Sequence, residues 1–482
     1  MKYLYILPVT LLLILAWACD DVLEEKIYGQ ITDDEFWQTE QDAVSAIMAA
    51  YGSLGGDWEG FTFWQFCIED MGTDIGTGGY FGTLDYQAYT GWSGTTPDFV
   101  DWGIWPSFWR TVNHANAVLD RVPDMDIDEE VKKRVIGEAY ALRAMIYFYL
   151  VNWFGGMPEI TTTLEAPTEI PRQTVESNYT LIESDLKNAI DRLPDKSTLI
   201  SMGEQDYGRV TSHAARGMLA RAYLQQGKWT ECAAVCQEII SSGEYSLESN
   251  YLDIFSLANE GFNNKEVIWV IPFIAGTSPA IDACVLQVYL WRAPEKPDYD
   301  KYYDWSGNIR VTSSFFSTFE NNDLRKAGLF SSTDATEDPI MLLKHPADPA
   351  TEGFSSGTDY PVIRLADVLL MRAEALANLG DLESSVTEVN KVRARAGLPA
   401  LDAGNFTSQS LLDHIRNERR WELYFEGHAR RDMIRMDYNS MIDYIKSKSA
   451  DWEAVGAERY LLLPLPSSAL ASNPGLIQNP GF

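Results

Sequence analysis

Positive charge is scarce in this chain: 38 Lys and Arg stand against 70 Asp and Glu, and the formal net charge is −32. A body this acidic is repelled by phosphate backbones and by anionic lipid surfaces. That excludes nucleic acid as a partner and leaves neutral or cationic ligands easier to accommodate. Histidine and cysteine are scarcer still, at five each. His114, His213, His345, His414 and His428 form no H-E-x-x-H or other metal-ligand spacing. The cysteines (Cys19, Cys67, Cys232, Cys236, Cys284) include no C-x-x-C. Cys232 and Cys236 lie four apart on an expected helix, which suits neither a relaxed disulfide nor a complete metal site. Apart from Cys19 they read as small core residues. There is no G-x-S-x-G elbow and no phosphate-cradling G-x-x-x-x-G-K-[ST]. No metal and no cofactor is expected, and the chain is not expected to be an enzyme. A glycosidase stays open, because its two carboxylates need only lie about 5–10 Å apart in space, a condition that 70 acidic residues leave untested.

Long apolar runs are also missing. The run from Leu4 to Ala18 is broken by Pro8 and Thr10 and falls short of the roughly 20 apolar residues of a membrane span. With Lys2 before it, residues 1–18 read as a secretory signal peptide. The run closes on Leu15-Ala16-Trp17-Ala18-Cys19, and a small residue before Cys resembles a bacterial lipobox. Cys19 would then carry the lipid and hold the protein on a membrane, with residues 19–482 as a single body.

What is present is organised around Ile415 to Asp437, IRNERRWELYFEGHARRDMIRMD. Wound as one helix, it puts Leu411, Ile415, Glu418, Arg419, Glu422 and Glu426 on one face. The two aliphatic residues mark that face as buried, and carboxylates there cost several kcal/mol each unless paired. Arg419 and Arg430 are near enough along the helix to answer some of the charge. Three further arginines sit in Arg-Ala pairs within apolar helical runs: Arg143, Arg221 and Arg372. Either they face solvent or they join Arg419, Glu422 and Glu426 in one internal ion-pair network.

The remaining scaffold reads as helices. The expected spans are Gln41–Tyr51, opened by Thr32-Asp33-Asp34-Glu35, then Val131–Phe154 before Gly155-Gly156, and Thr174–Leu193 before Pro194. Thr211–Gln226 with Thr230–Ser241, and Leu365–Leu379 with Leu382–Ala396, are helix–turn–helix pairs resembling tetratricopeptide units. Such pairs bury their apolar faces only by stacking. The fold class is mainly α: tetratricopeptide-like pairs over about 32–56, 104–243 and 361–448, with loop-rich insertions at about 57–103 and 244–360 forming a ligand face.

Both insertions are aromatic. Trp58–Trp109 holds 15 aromatic residues in 52, with nine glycines, and Met71–Gly82 suits no regular element over its length. Trp105, Phe108 and Trp109 precede apolar residues at helical spacing and read as core. In the second insertion Val267–Ile271 reads as a strand. Tyr289, Trp291, Tyr299, Tyr302, Tyr303 and Trp305 then fall within 17 residues, beside Pro294 and Pro297. Ring faces match the C–H faces of sugars, and the nearby Asp, Asn and Arg side chains can orient hydroxyls. Trp92, Trp291, Trp305, Tyr80 and Tyr303 are the candidate ligand-binding residues, weighed against ordinary packing.

The segments Arg419-Arg420-Trp421-Glu422-Leu423, Phe425-Glu426-Gly427, Arg431-Asp432 and Arg435 resemble the C-terminal helix of the SusD/RagB family of outer-membrane nutrient-binding lipoproteins. EAYALRAMIYFYLVNWFGGMPE, IESDLKNAIDRLP and the terminal Asn473-Pro474 and Gln478-Asn479-Pro480-Gly481-Phe482 resemble it too. The resemblance implies a surface-exposed, lipid-anchored outer-membrane protein. It would capture a nutrient, foremost a glycan, and deliver it to a SusC-like TonB-dependent transporter. Oligopeptide binding, glycosidase activity or a purely structural cap are the alternatives.

Overall fold

The computed structural model describes residues 36–54, 60–77, 100–163, 169–203, 206–274, 309–333, 339–346, 348, 350, 356–448 and 456–482. Its helices in the first half are α1 Glu40–Gly52, α2 Phe61–Glu69, α3 Trp105–Arg121, α4 Glu129–Phe154, α5 Val175–Ile190, α6 Lys196–Met202, α7 Ser212–Gln225 and α8 Trp229–Ser241. Those in the second half are α9 Ser313–Ser317, α10 Leu365–Asn378, α11 Leu382–Arg395, α12 Ser408–Leu423, α13 Ala429–Met436, α14 Tyr438–Lys448 and α15 Ser467–Ser472.

Local chemistry explains where they begin. The Thr39 hydroxyl accepts from Asp42 N while the Asp42 carboxylate accepts from Thr39 N, a reciprocal cap for α1. That cap lies beyond the Thr32–Glu35 start expected from sequence, which falls outside the described residues. Asp128 caps α4 by accepting from Glu130 N and Val131 N. From Val135 to Phe154 this helix is buried almost all round, so it forms the spine of the scaffold. Asp381 caps α11 after Gly380 turns the chain at φ 83°. The helices pack in succession: α3 on α4, α4 on α5, α5 on α7, α7 on α8, α8 on α10, and α10 on both α11 and α12. The pairs α7–α8 and α10–α11 are the expected helix–turn–helix units, and the mainly helical class holds.

Two small antiparallel sheets complete the body. Strand β2 (Val267–Ile271), expected from sequence, pairs with β6 (Tyr360–Arg364). The other sheet runs β1-β3-β5-β4, with β1 Gly76–Thr77, β3 Arg310–Val311, β4 Leu329–Ser331 and β5 Ile340–Leu342. The terminal segment folds back on the end of α4. Leu463 N donates to Trp153 O at 2.6 Å, and Asn479 Nδ2 donates to Phe154 O at 3.0 Å.

Three expectations need correction. The first insertion contains a helix, α2, whose described side chains are nearly all buried. An element enclosed on every side shows no 3.6-residue alternation, so its FTFWQFCIE sequence carries no helical signature. Of the presumed core aromatics, Phe108 is buried, while Trp105 and Trp109 are only half-buried at the edge of the core. The stretch Ile415–Asp437 is two helices, not one. The chain breaks at Tyr424–His428, with Phe425 at φ 55° and Gly427 at φ 75°. Cys232 and Cys236 are buried free thiols and Cys67 is half-buried; Cys284 lies outside the described residues.

Candidate functional site

The break between α12 and α13 is the electrostatic centre of the molecule. The buried face of α12 is Leu411, Ile415, Glu418, Arg419, Glu422 and Leu423, and Glu426 is buried in the turn that follows. The answering cations come from elements distant in sequence. Arg325 donates to Asp323 through Nε and Nη2 and to Glu418 through Nη1 at 2.6 Å. Arg364 spans Glu426 at 2.7 Å, Glu266 at 2.7 Å and Glu422. Arg395 bridges Glu422 and Glu266, and Arg393 holds the second oxygen of Glu418. Lys344 donates to Glu426 and, at 2.7 Å, to Tyr424 O, with the Tyr424 ring 4.3 Å from its ammonium. Five buried cations thus meet five buried carboxylates, the composition burial requires of charge.

The titration of these groups follows. Burial alone would raise Glu422, but Arg395, Arg364 and Arg325 outweigh it and hold the carboxyl far below its usual range. Glu418 and Glu426 are lowered likewise against burial, chiefly by Arg325 and by Arg364 respectively. Burial lowers Lys344 to about 8, opposed by Glu426. Glu422 and Glu426 are therefore ion-paired anchors rather than a general acid and base.

The arginines expected to share one network separate into several. Arg419 turns away from Glu422 and Glu426, pairing with Asp367 at 2.9 Å and Asp432 at 2.6 Å. Arg221 shares that Asp367, so these two are joined. Arg143 belongs elsewhere, donating twice to Asp185 and once to Asn116 Oδ1. Arg372 pairs with Glu388 at the edge of the α10–α11 pair. Among the described residues Arg430 answers no carboxylate; it donates to the carbonyls of Leu461 and Tyr460. The reason is the chain break: once α12 and α13 are separate helices, Arg430 no longer shares a face with Glu422.

The turn is clamped from below by α2. Gln65 Nε2 donates to Gly427 O at 3.2 Å, Gly427 N donates to Asp70 Oδ2 at 2.6 Å, and Arg431 pairs with Glu69 at 2.6 Å. Gly427 is required there: a Cβ would run into the Gln65 side chain, and the backbone is left-handed. Gly427→Ala is therefore expected to lose more than about 1 kcal/mol of stability, read as a lowered urea midpoint at unchanged slope.

The candidate ligand residues Tyr80, Trp92, Trp291, Tyr303 and Trp305 lie outside the described residues, as does Cys19. The strands from which their stretches depart are described. Gly76 pairs with Val311 and Thr77 with Arg310, and Thr312 adds bonds from its N to Ile75 O and from its hydroxyl to Asp74 O. Residue 78 follows β1, and residue 308 precedes Ile309 and β3. One end of each aromatic stretch is therefore joined in sequence to one of two hydrogen-bonded strands.

The other root of the second stretch holds two carboxyls that sequence reasoning missed. Asp359 accepts from Tyr207 OH at 2.7 Å and from Phe273 N at 3.0 Å, and Glu260 accepts from Asp359 N at 3.0 Å. Burial raises Asp359 to about 6; burial and the neighbouring Asp359 raise Glu260 to about 8. No spacing in the chain links residues 207, 260 and 359. Two cavities are also formed. One of about 370 Å³ is walled by Tyr51, Tyr207, Trp269 and Phe273, and one of about 280 Å³ by Trp105, Trp109 and the terminal segment.

Comparison with known proteins agrees with this architecture at both ends of the chain. A family model described as "SusD family" matches residues 302–482, and one described as "Starch-binding associating with outer membrane" matches residues 86–224. The chain is 27% identical to SusD-like protein P25 of Formosa agariphila, over 99% of this chain and 98% of that relative. It is 22% identical to the starch-binding protein SusD of Bacteroides thetaiotaomicron, over 77% of this chain and 76% of the other. Among solved structures, a laminarin-binding SusD-like protein superposes with a TM-score of 0.76 at 26% identity, over 92% of this chain and all of that one. On these matches, the chain is similar to the SusD/RagB family along most of its length.

Proposed function

We propose that this protein captures a neutral glycan at the cell surface and delivers it, uncleaved, to a SusC-like TonB-dependent outer-membrane transporter. The observation that carries this reading is the β1–β3 pairing, to which one end of each aromatic-rich stretch is joined in sequence. Trp92, Trp291 and Trp305 are the proposed ring contacts, with Tyr80 and Tyr303 behind them. The net charge of −32 favours an uncharged ligand over an anionic one. Relatives named for binding laminarin and starch support the ligand class. The outer-membrane association in the description of one matching family model supports the location. Cys19 is the proposed lipid attachment point, leaving the mature body outside the bilayer.

The test is calorimetric titration of protein starting at Asp20 with neutral oligosaccharides and with peptides, beside Trp92→Ala and Trp291→Ala. Saturable saccharide binding weakened at least tenfold in either variant, with no shortened products, is the expected result. Binding of peptides alone, or release of new reducing ends, would overturn it.

A further inference from the structure

The cavity of about 280 Å³ lies between α3 and the terminal segment, apart from the β1–β3 roots, and the reading above gives it no role. One wall is Trp105 and Trp109, whose indoles meet edge to face with centroids 5.6 Å apart. Phe154 and Tyr147 brace their other sides, also edge to face, so both rings are held in place rather than free to collapse inward. Further lining residues carry amides or a hydroxyl: Asn113, Asn116, Ser472 and Asn473. Two of the amides are already committed. Asn116 is spent on Arg143 and on the carbonyls of Ile160 and Thr162, and Asn473 on Ile170 and Gly475. Asn113 and Ser472 are exposed at the rim. Among the described lining residues none is charged.

We infer that this cavity is a second saccharide subsite, taking one neutral pyranose-sized ring between the indole wall and the Asn113 amide. The volume lies at the lower limit of small-molecule sites, about 300–1,000 Å³, which suits one ring and not a chain. Flat indole surface with amide donors and acceptors at the mouth matches a ring with apolar C–H faces and equatorial hydroxyls. The inference takes only its ligand class from the proposed function; its location is independent of it.

The experiment is fluorine NMR of fluorotryptophan-labelled protein starting at Asp20, with the Trp105 and Trp109 signals assigned by Trp→Phe variants, titrated with D-glucose, D-galactose and D-mannose. Saturable millimolar shifts of both signals with at least one sugar, retained in Trp92→Ala and abolished in Ser472→Phe, are expected. Ser472→Phe fills the cavity from the surface. Asn113→Ala, a rim change that leaves the core untouched, should weaken the same titration about fivefold, the worth of one net hydrogen bond. Shifts confined to the tryptophans of the aromatic stretches would overturn the second subsite while leaving the proposed function standing. Shifts of Trp105 and Trp109 without effect of Trp92→Ala or Trp291→Ala on oligosaccharide binding would do the reverse. A response to N-acetyl-leucine amide and to none of the sugars would also overturn it, in favour of a partner's side chain.

Discussion

Arg364→Ala is expected to cost about 3–5 kcal/mol of folding stability, a large share of the roughly 5–15 kcal/mol of a typical protein. The guanidinium of Arg364 is buried and holds Glu422, Glu426 and Glu266 together while also donating to Glu422 O. Deleting it strands carboxylates that have no route to water. Arg364→Lys should recover little, because an ammonium cannot reproduce the planar five-donor fork. Arg416→Ala, on the outer part of α12 and paired with Asp437 at the half-exposed surface, serves as the control and should cost no more than about 1 kcal/mol. Urea unfolding of the three variants distinguishes them. An Arg364→Ala midpoint close to that of Arg416→Ala would show that the turn is not held by its charges. The pH dependence has a definite sign. Glu418, Glu422 and Glu426 are lowered on folding. Their contribution is therefore present above the ordinary glutamate pKa of about 4.3 and is lost as the pH falls through the lowered values.

Asp70→Asn is expected to have the opposite character, raising stability in mild alkali. Asp70 is fully buried and faces Gly427 N with one oxygen; its other oxygen has no partner. Burial raises it to about 8, opposed by the Gly427 N–H and assisted by the neighbouring Glu69. A raised carboxyl keeps its proton in the folded protein and surrenders it in the unfolded one. The stability linked to Asp70 is thus fully present below about pH 3.9 and is lost progressively as the pH rises to about 8, at about 1.4 kcal/mol per pH unit for this single group. Asparagine removes that slope and keeps an acceptor for Gly427 N. Thermal unfolding between pH 5 and 9 should show the variant gaining on the parent as the pH rises. Parallel curves would mean that Asp70 is ionised throughout.

The sequence made the helices legible because their signals are local. Gly155, Gly380 and Pro194 mark ends that are visible in the chain, and the face of α12 is visible in the spacing of Leu411, Ile415, Glu418 and Glu422. What escaped is everything non-local. Arg325 lies 93 residues before Glu418 and Arg395 129 after Glu266, and no pattern in the chain joins them. The Arg-Ala motif misled, since Arg143 and Arg372 serve their own helix pairs. Gly427 offered a hint of the break at Tyr424–His428, but the left-handed Phe425 did not. The aromatic ligand residues were found by clustering alone, and the carboxyls of Glu260 and Asp359 had no cluster to reveal them.

The ion-paired turn also sets an order of assembly. A chain emerging amino end first displays Arg325, Arg364 and Arg395 well before Glu418, Glu422 and Glu426 exist to meet them. Until then Asp323 and Glu266 can answer only part of that charge, and the interior they belong to cannot close. Completion of this part of the interior therefore waits for the last helices.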